Sequence, residues 1–148
     1  MFYSTHASVQ LEVLSYENPA AGQTPDDGNV LVTCLRLIDR GRRWDTIAPI
    51  LYTWDIQKLI YWFSDMLADR EVPDGLMFAE PCLAIELSRV SANRERYWFR
   101  ILLRFEATPP WYQESPDTPY VIPIDCSRNS ISEAVSGLTA QLLAFPVR

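Results

Sequence analysis

The segment "RYWFRILLRFEA" (96–107) alternates: Tyr97, Phe99, Ile101, Leu103 and Phe105 fall on one side, Trp98, Arg100, Arg104 and Glu106 on the other. That period of two is the pattern of a long, half-buried strand. Ahead of it, "LMFAEPCLAIELSRV" (76–90) turns Leu83, Ile85 and Leu87 one way and Glu86 and Ser88 the other, and "SANRE" (91–95) supplies a turn. Together they predict an antiparallel hairpin with one apolar face. On its outer face Arg100 or Arg104 is expected to meet Glu86, an exposed cross-strand pair worth ~0.2–1 kcal/mol.

The apolar face must be covered, and two amphipathic helices can cover it. In "TWDIQKLIYWFSDMLADREVPDG" (53–75), Ile56, Leu59, Ile60, Phe63, Met66 and Leu67 fall within about 100° of arc on a 3.6-residue wheel. Thr53 is placed to cap this helix, Asp55 suits its positive first turn, and "VPDG" stops it. In "SISEAVSGLTAQLLAF" (130–145), Ser130 and Glu133 have capping-box spacing, and Ile131, Val135, Leu138 and Leu142 form the stripe. Further strands are expected at 8–17, where Val9, Leu11 and Val13 alternate with Gln10 and Glu12, and at 29–39, which is apolar on both faces. "RGRR" (40–43) turns the chain into 44–52, which should end near Pro49 or lie at a sheet edge, and Pro123 puts 120–126 at an edge or bulge. A loop is expected at 18–28. The order β-β-β-α-β-β-β-α predicts an α+β fold, one domain over 1–148: a mostly antiparallel sheet of about six strands with both helices packed on one face.

Composition narrows the function by exclusion. Thirteen basic against nineteen acidic residues give a net charge of −6, which repels phosphate backbones and anionic lipid, so neither nucleic acid nor membrane is an expected partner. No apolar run reaches membrane-spanning length, and "MFYSTHASVQ" lacks the form of a secretory signal, so a cytoplasmic location is expected. Cys34, Cys82 and Cys126 are scattered, without a CxxC pair, and read as buried reduced thiols. One histidine, His6, supports no zinc site, and "PDDG" (25–28) lacks the spaced ligands of a calcium loop. With no phosphate-cradling glycine loop and no GxSxG elbow, no metal, cofactor or catalytic residue is assigned, and the chain is expected not to be an enzyme.

Three features remain. Glu80, in "FAEP", is a carboxylate among apolar residues; it is read as bonding to backbone amides at a strand entrance, with a small-ligand, accessory or minor enzymatic role as the alternative. Trp54 and Tyr61 share the outward face of the first helix, the make-up of a binding hot spot unless the loop 108–119 covers them. In "FEATPPWYQESPDTPY" (105–120) Pro109 and Pro110 stiffen the backbone. Trp111 is expected to fold back over the end of the core, a plug worth ~2–3 kcal/mol by area. Tyr112, Glu114 and Asp117 are left as the contact edge. The candidate partner-binding residues are therefore Trp54, Tyr61, Tyr112, Glu114 and Asp117.

The series "DDGNVLVTCLRL", Trp44 with "APILYTWDIQKLIYWF", "LMFAEPCLAIEL", "LLRFEATPPWY" and "LTAQLLAFPVR", in that order, resembles the WapI-type bacterial immunity family over most of residues 26–148. The resemblance implies a cytoplasmic antidote that binds and blocks a cognate toxin, in that family a nuclease acting on tRNA. It implies no catalytic residue. An acidic chain suits that task, because a nuclease must be basic to hold RNA.

Overall fold

The computed structural model describes residues 2–3, 6–20 and 28–148. Strands β1 (Phe2–Tyr3), β2 (Ala7–Tyr16), β3 (Val30–Asp39) and β4 (Arg42–Tyr52) lead into helix α1 (Thr53–Leu67). Strands β5 (Gly75–Met77), β6 (Leu83–Val90), β7 (Arg96–Leu103) and β8 (Tyr120–Ser127) follow, and helix α2 (Arg128–Ala144) closes the order. All pairings are antiparallel. The α+β class and the two helices are as the sequence predicts.

The strands do not form one sheet of about six. They divide into two four-stranded sheets, β1-β2-β3-β4 and β5-β6-β7-β8. α1 and the segment after it carry the chain from one sheet to the other, so β4 and β5 never pair. The stretch 76–90 is also two strands rather than one. Gly75 explains the first of them: a Cβ there would lie 2.9 Å from the carbonyl oxygen of Ile85, so only glycine lets β5 approach β6 this closely. Of the loop expected at 18–28, residues 21–27 lie outside the described residues, including most of "PDDG".

Alternation works within each sheet. Val9, Leu35 and Leu37 point inward from the first, Ile85, Phe99, Ile101, Ile122 and Ile124 from the second, and all are buried. Ile56, Leu59, Phe63 and Met66 of α1 and Ile131, Ala134 and Leu138 of α2 fill the space between. Trp62 is buried too, packing against Phe63 and Phe99 and donating its indole N–H to Pro73 O at 3.0 Å. A cavity of about 60 Å³ remains at the meeting of both sheets and both helices, lined by apolar side chains and Gln141.

Helix starts differ in detail from expectation. Tyr52, not Thr53, holds the cap position of α1; its N–H donates to Asp55 Oδ2 at 3.1 Å, while the Thr53 hydroxyl donates to Asn29 Oδ1 at 2.8 Å. α2 starts earlier than the capping box implied: Ser127 caps it, accepting from the Ser130 N–H at 3.1 Å, and Glu133 instead accepts from Asn129. The β3–β4 turn is Arg40–Gly41, both at positive φ, the backbone of a tight two-residue hairpin.

In the first sheet the open strand edges are interrupted. Gln141 of α2 lays its amide along β2, accepting from Val13 N–H at 2.6 Å and donating to Leu11 O at 3.3 Å, as a neighbouring strand would. Pro49 and a register shift near Leu31/Val32 interrupt β4.

Candidate functional site

The loop after β7 is ordered by its own aromatic residues. Trp111 is half-buried, edge-on to Tyr120 at 6.5 Å, with the Arg42 guanidinium 5.7 Å over its ring. Tyr120 in turn donates its hydroxyl to Asp39. Burial first, and the Asp39 bond second, push the Tyr120 phenol above its ordinary range. Arg42 and Asp39 belong to the first sheet and Tyr120 to the second. Trp111 is thus part of a clasp across the sheets rather than a plug buried in the core.

Tyr112 is half-buried beside it, with its ring 5.1 Å from Tyr120 and its hydroxyl donating to Pro119 O at 3.1 Å. Ser115 shapes the tip, where Thr118 N–H donates to its carbonyl at 2.8 Å. Glu114 and Asp117 stand exposed there.

The α1 pair separates. Tyr61 is 61% exposed, held by a bond from Gln57 Nε2 to its hydroxyl at 3.1 Å. Trp54 is half-buried, stacked on Tyr52 at 4.6 Å with the rings 15° apart. Tyr52 is the ring that lies against it. The five expected residues therefore sit in two groups on different elements, Trp54 and Tyr61 on α1 and Tyr112, Glu114 and Asp117 on the loop.

A third group was not foreseen. The alternation of 96–107 puts Phe105 inward, but β7 stops at Leu103 and a 3₁₀ turn follows at Phe105–Ala107. Phe105 takes φ +50° and is 49% exposed, while Ala107 is fully buried. The signal available in the sequence was "TPP": a strand cannot persist into Pro109–Pro110, so the chain must bend just before them. Glu106, likewise taken from the hairpin face, accepts the Cys82 S–H at 3.2 Å. Its own backbone N–H, then Cys82, hold the Glu106 carboxyl below the usual range. Burial and Glu106 together push the Cys82 thiol up to about 12.

Glu80 lies on the same edge. It is half-buried, and its nearest hydrogen-bond donor is a side chain, the Tyr52 hydroxyl at 3.5 Å, rather than the backbone amides expected of it. Glu80 does not line the internal cavity. The expected pairing of Arg100 with Glu86 is present at 2.9 Å.

The three cysteines are free and buried. Burial also pushes Cys126 up to about 12, so neither it nor Cys82 is a thiolate near neutrality. Among the described residues, no group of His, Cys, Asp and Glu side chains is placed to hold a metal ion. No described helix is long and apolar enough to cross a membrane.

Charge is distributed unevenly between free and paired groups. Seven arginines and Lys58 hold ion pairs. Arg42, Arg89 and Arg148 lie over the rings of Trp111, Trp98 and Tyr16. By contrast Glu71, Asp74, Glu80, Glu106, Glu114 and Asp117 have no ion pair among the described residues. Most cations are thus held by the fold, Arg40 and Arg104 being the exceptions, while Glu71, Asp74, Glu106, Glu114 and Asp117 are exposed.

No curated protein and no solved structure matches this chain. The family model of the Immunity protein WapI-like family matches residues 1–146. With nearly its whole length matched, the chain belongs to the WapI-like immunity protein family.

Proposed function

We propose that this chain neutralises a cognate toxin in the cytoplasm by binding it, without catalysis, through an acidic and aromatic surface. Family membership supports an immunity role. The observation that carries the surface assignment is the imbalance above: ten of the twelve arginines are paired or stacked, whereas Glu114 and Asp117 stand exposed without ion pairs among the described residues. Such a molecule attracts a cationic partner and repels nucleic acid. A nuclease toxin is the natural counterpart, because its RNA-holding surface is cationic.

The contact residues in this reading are Trp54 and Tyr61 on α1, and Tyr112, Glu114 and Asp117 on the loop. Tyr112 is held by Pro119 and Tyr120 before any partner arrives, so little side-chain freedom is lost on binding. The test is to look for a neighbouring reading frame that encodes a large secreted protein and to co-express its C-terminal domain with this chain. Rescue of growth is expected, and reversing Glu114 and Asp117 to lysine should weaken it, most at low ionic strength. Cells that die equally with and without this chain would refute the reading.

A further inference from the structure

We infer that Phe105 is the apolar anchor of the toxin-binding edge, and that it fits a cationic protein surface with a recess for an aromatic ring. This rests on the immunity reading above and names where that surface makes its central contact.

Four described non-glycine residues have positive φ: Arg40, Asp69, Arg94 and Phe105. The first three are polar residues in exposed turns, where such a conformation is common. Phe105 is different. A bulky L-residue is disfavoured in the left-handed region, and this one is not enclosed by the core in return, since the residue stays 49% exposed. The turn itself has a structural purpose, since it lets Ala107 and Pro109 drop into the interior, with Ala107 N–H donating to Arg104 O at 3.0 Å. Glycine or asparagine would make that turn with less strain. The large apolar side chain at this position serves neither the backbone nor the core.

What surrounds Phe105 indicates the partner. Its neighbour Glu106 bonds its own backbone N–H and the Cys82 thiol, and the backbone bond from Arg104 N to Cys82 O at 2.9 Å brings the 80–82 segment alongside. Glu80 then reaches Tyr52, on which Trp54 is stacked. Two carboxylates without ion pairs thus accompany exposed aromatic surface along one edge. The complement is a surface of arginine or lysine around an apolar recess: guanidinium groups can pair with the carboxylates and stack on the rings. A second copy of this chain would set acid against acid, and a phosphate backbone would be repelled. The internal cavity has no lining residue from this edge.

The experiment compares Phe105→Gly and Phe105→Ala with the parent chain, using as probe the purified toxin domain that the co-expression test above identifies. Thermal unfolding is read first. Phe105→Gly should melt higher than the parent and higher than Phe105→Ala, because glycine accepts this φ freely. Binding is read second, by calorimetry: both variants should bind about tenfold or more weakly than the parent. Gain of stability with loss of affinity is a signature that a structural role cannot give. If Phe105→Gly melts lower, or both variants bind as tightly as the parent, the anchor assignment is overturned and the immunity reading stands. If the parent itself neither binds nor protects, both fall together.

Discussion

The two ends of α1 and the exit of β7 are built on opposite terms. At the start of the helix Asp55 is completely buried, yet its carboxylate accepts from Tyr52 N–H and pairs with Lys58 Nζ at 3.3 Å. Thr53 is bonded to buried Asn29, which also exchanges bonds with the backbone of Arg148 at 2.9 and 3.2 Å. At the far end the Arg128 guanidinium donates to Leu67 O, to Asp69 at 2.9 Å and to the Tyr97 hydroxyl at 3.2 Å. Every charge at these junctions has been given a partner. At the exit of β7 the reverse holds: Phe105 is strained and 49% exposed, and neither Glu80, Glu106 nor nearby Arg104 has an ion pair among the described residues. Polar and aromatic residues act as fastenings where their bonds are completed within the chain. Where the bonds are left open, they are available to a second molecule.

The largest effect expected from this contrast is at Asp55. Asp55→Ala leaves the Tyr52 N–H without its acceptor and Lys58 without its partner, and should lower stability by about 2–3 kcal/mol in chemical denaturation. Asp55→Asn keeps an acceptor oxygen and should lose less. A loss too small to measure in Asp55→Ala would break the comparison at its bonded end. Arg128→Ala comes next. It frees the last carbonyls of α1 and removes the tie between that helix and α2, but water can reach the site and replace part of the bonding. A melting temperature lowered by several degrees is expected, with Arg128→Lys recovering little because one ammonium cannot reach all the acceptors.

The bonded regions were more legible in the sequence than the open ones, for a physical reason. Burial imposes periodicity, and periodicity can be read. The stripe Ile56, Leu59, Phe63, Met66 emerges buried, and so does the inward face of the β6–β7 hairpin, with Glu86 opposite Arg100 as alternation requires. What alternation does not encode is which strands pair over long separations. The division into two sheets is a matter of α1 and its following segment leading away from β4, and no local pattern records it. Arg128, Gln141 and Asn29 escaped notice because each bonds residues more than fifty positions away. Phe105 was misplaced because alternation was extended one step too far. The positive φ that turns it outward has no counterpart in side-chain pattern, only in the two prolines downstream. The α1 pair was half legible: a helical wheel shows Trp54 and Tyr61 pointing away from the stripe, but not that Tyr52 would lie against one of them.

The smallest stability effect therefore falls on that pair and sharpens the comparison most. Tyr61 is exposed and bonded only to Gln57, one turn earlier on its own helix, so Tyr61→Ala should leave the melting temperature almost unchanged. Trp54→Ala removes a stacked ring and uncovers Tyr52; a loss of ~1 kcal/mol is expected. The double variant should melt within a few degrees of the parent and retain its circular dichroism spectrum. If both residues serve binding, it should also protect cells from the toxin less well than the Asp55→Asn variant, even though its fold is disturbed no more. A double variant that unfolds several degrees early would move Trp54 to the bonded side of the contrast. One that folds and protects like the parent would confine the contact surface to the loop and the Phe105 edge, leaving α1 as scaffold.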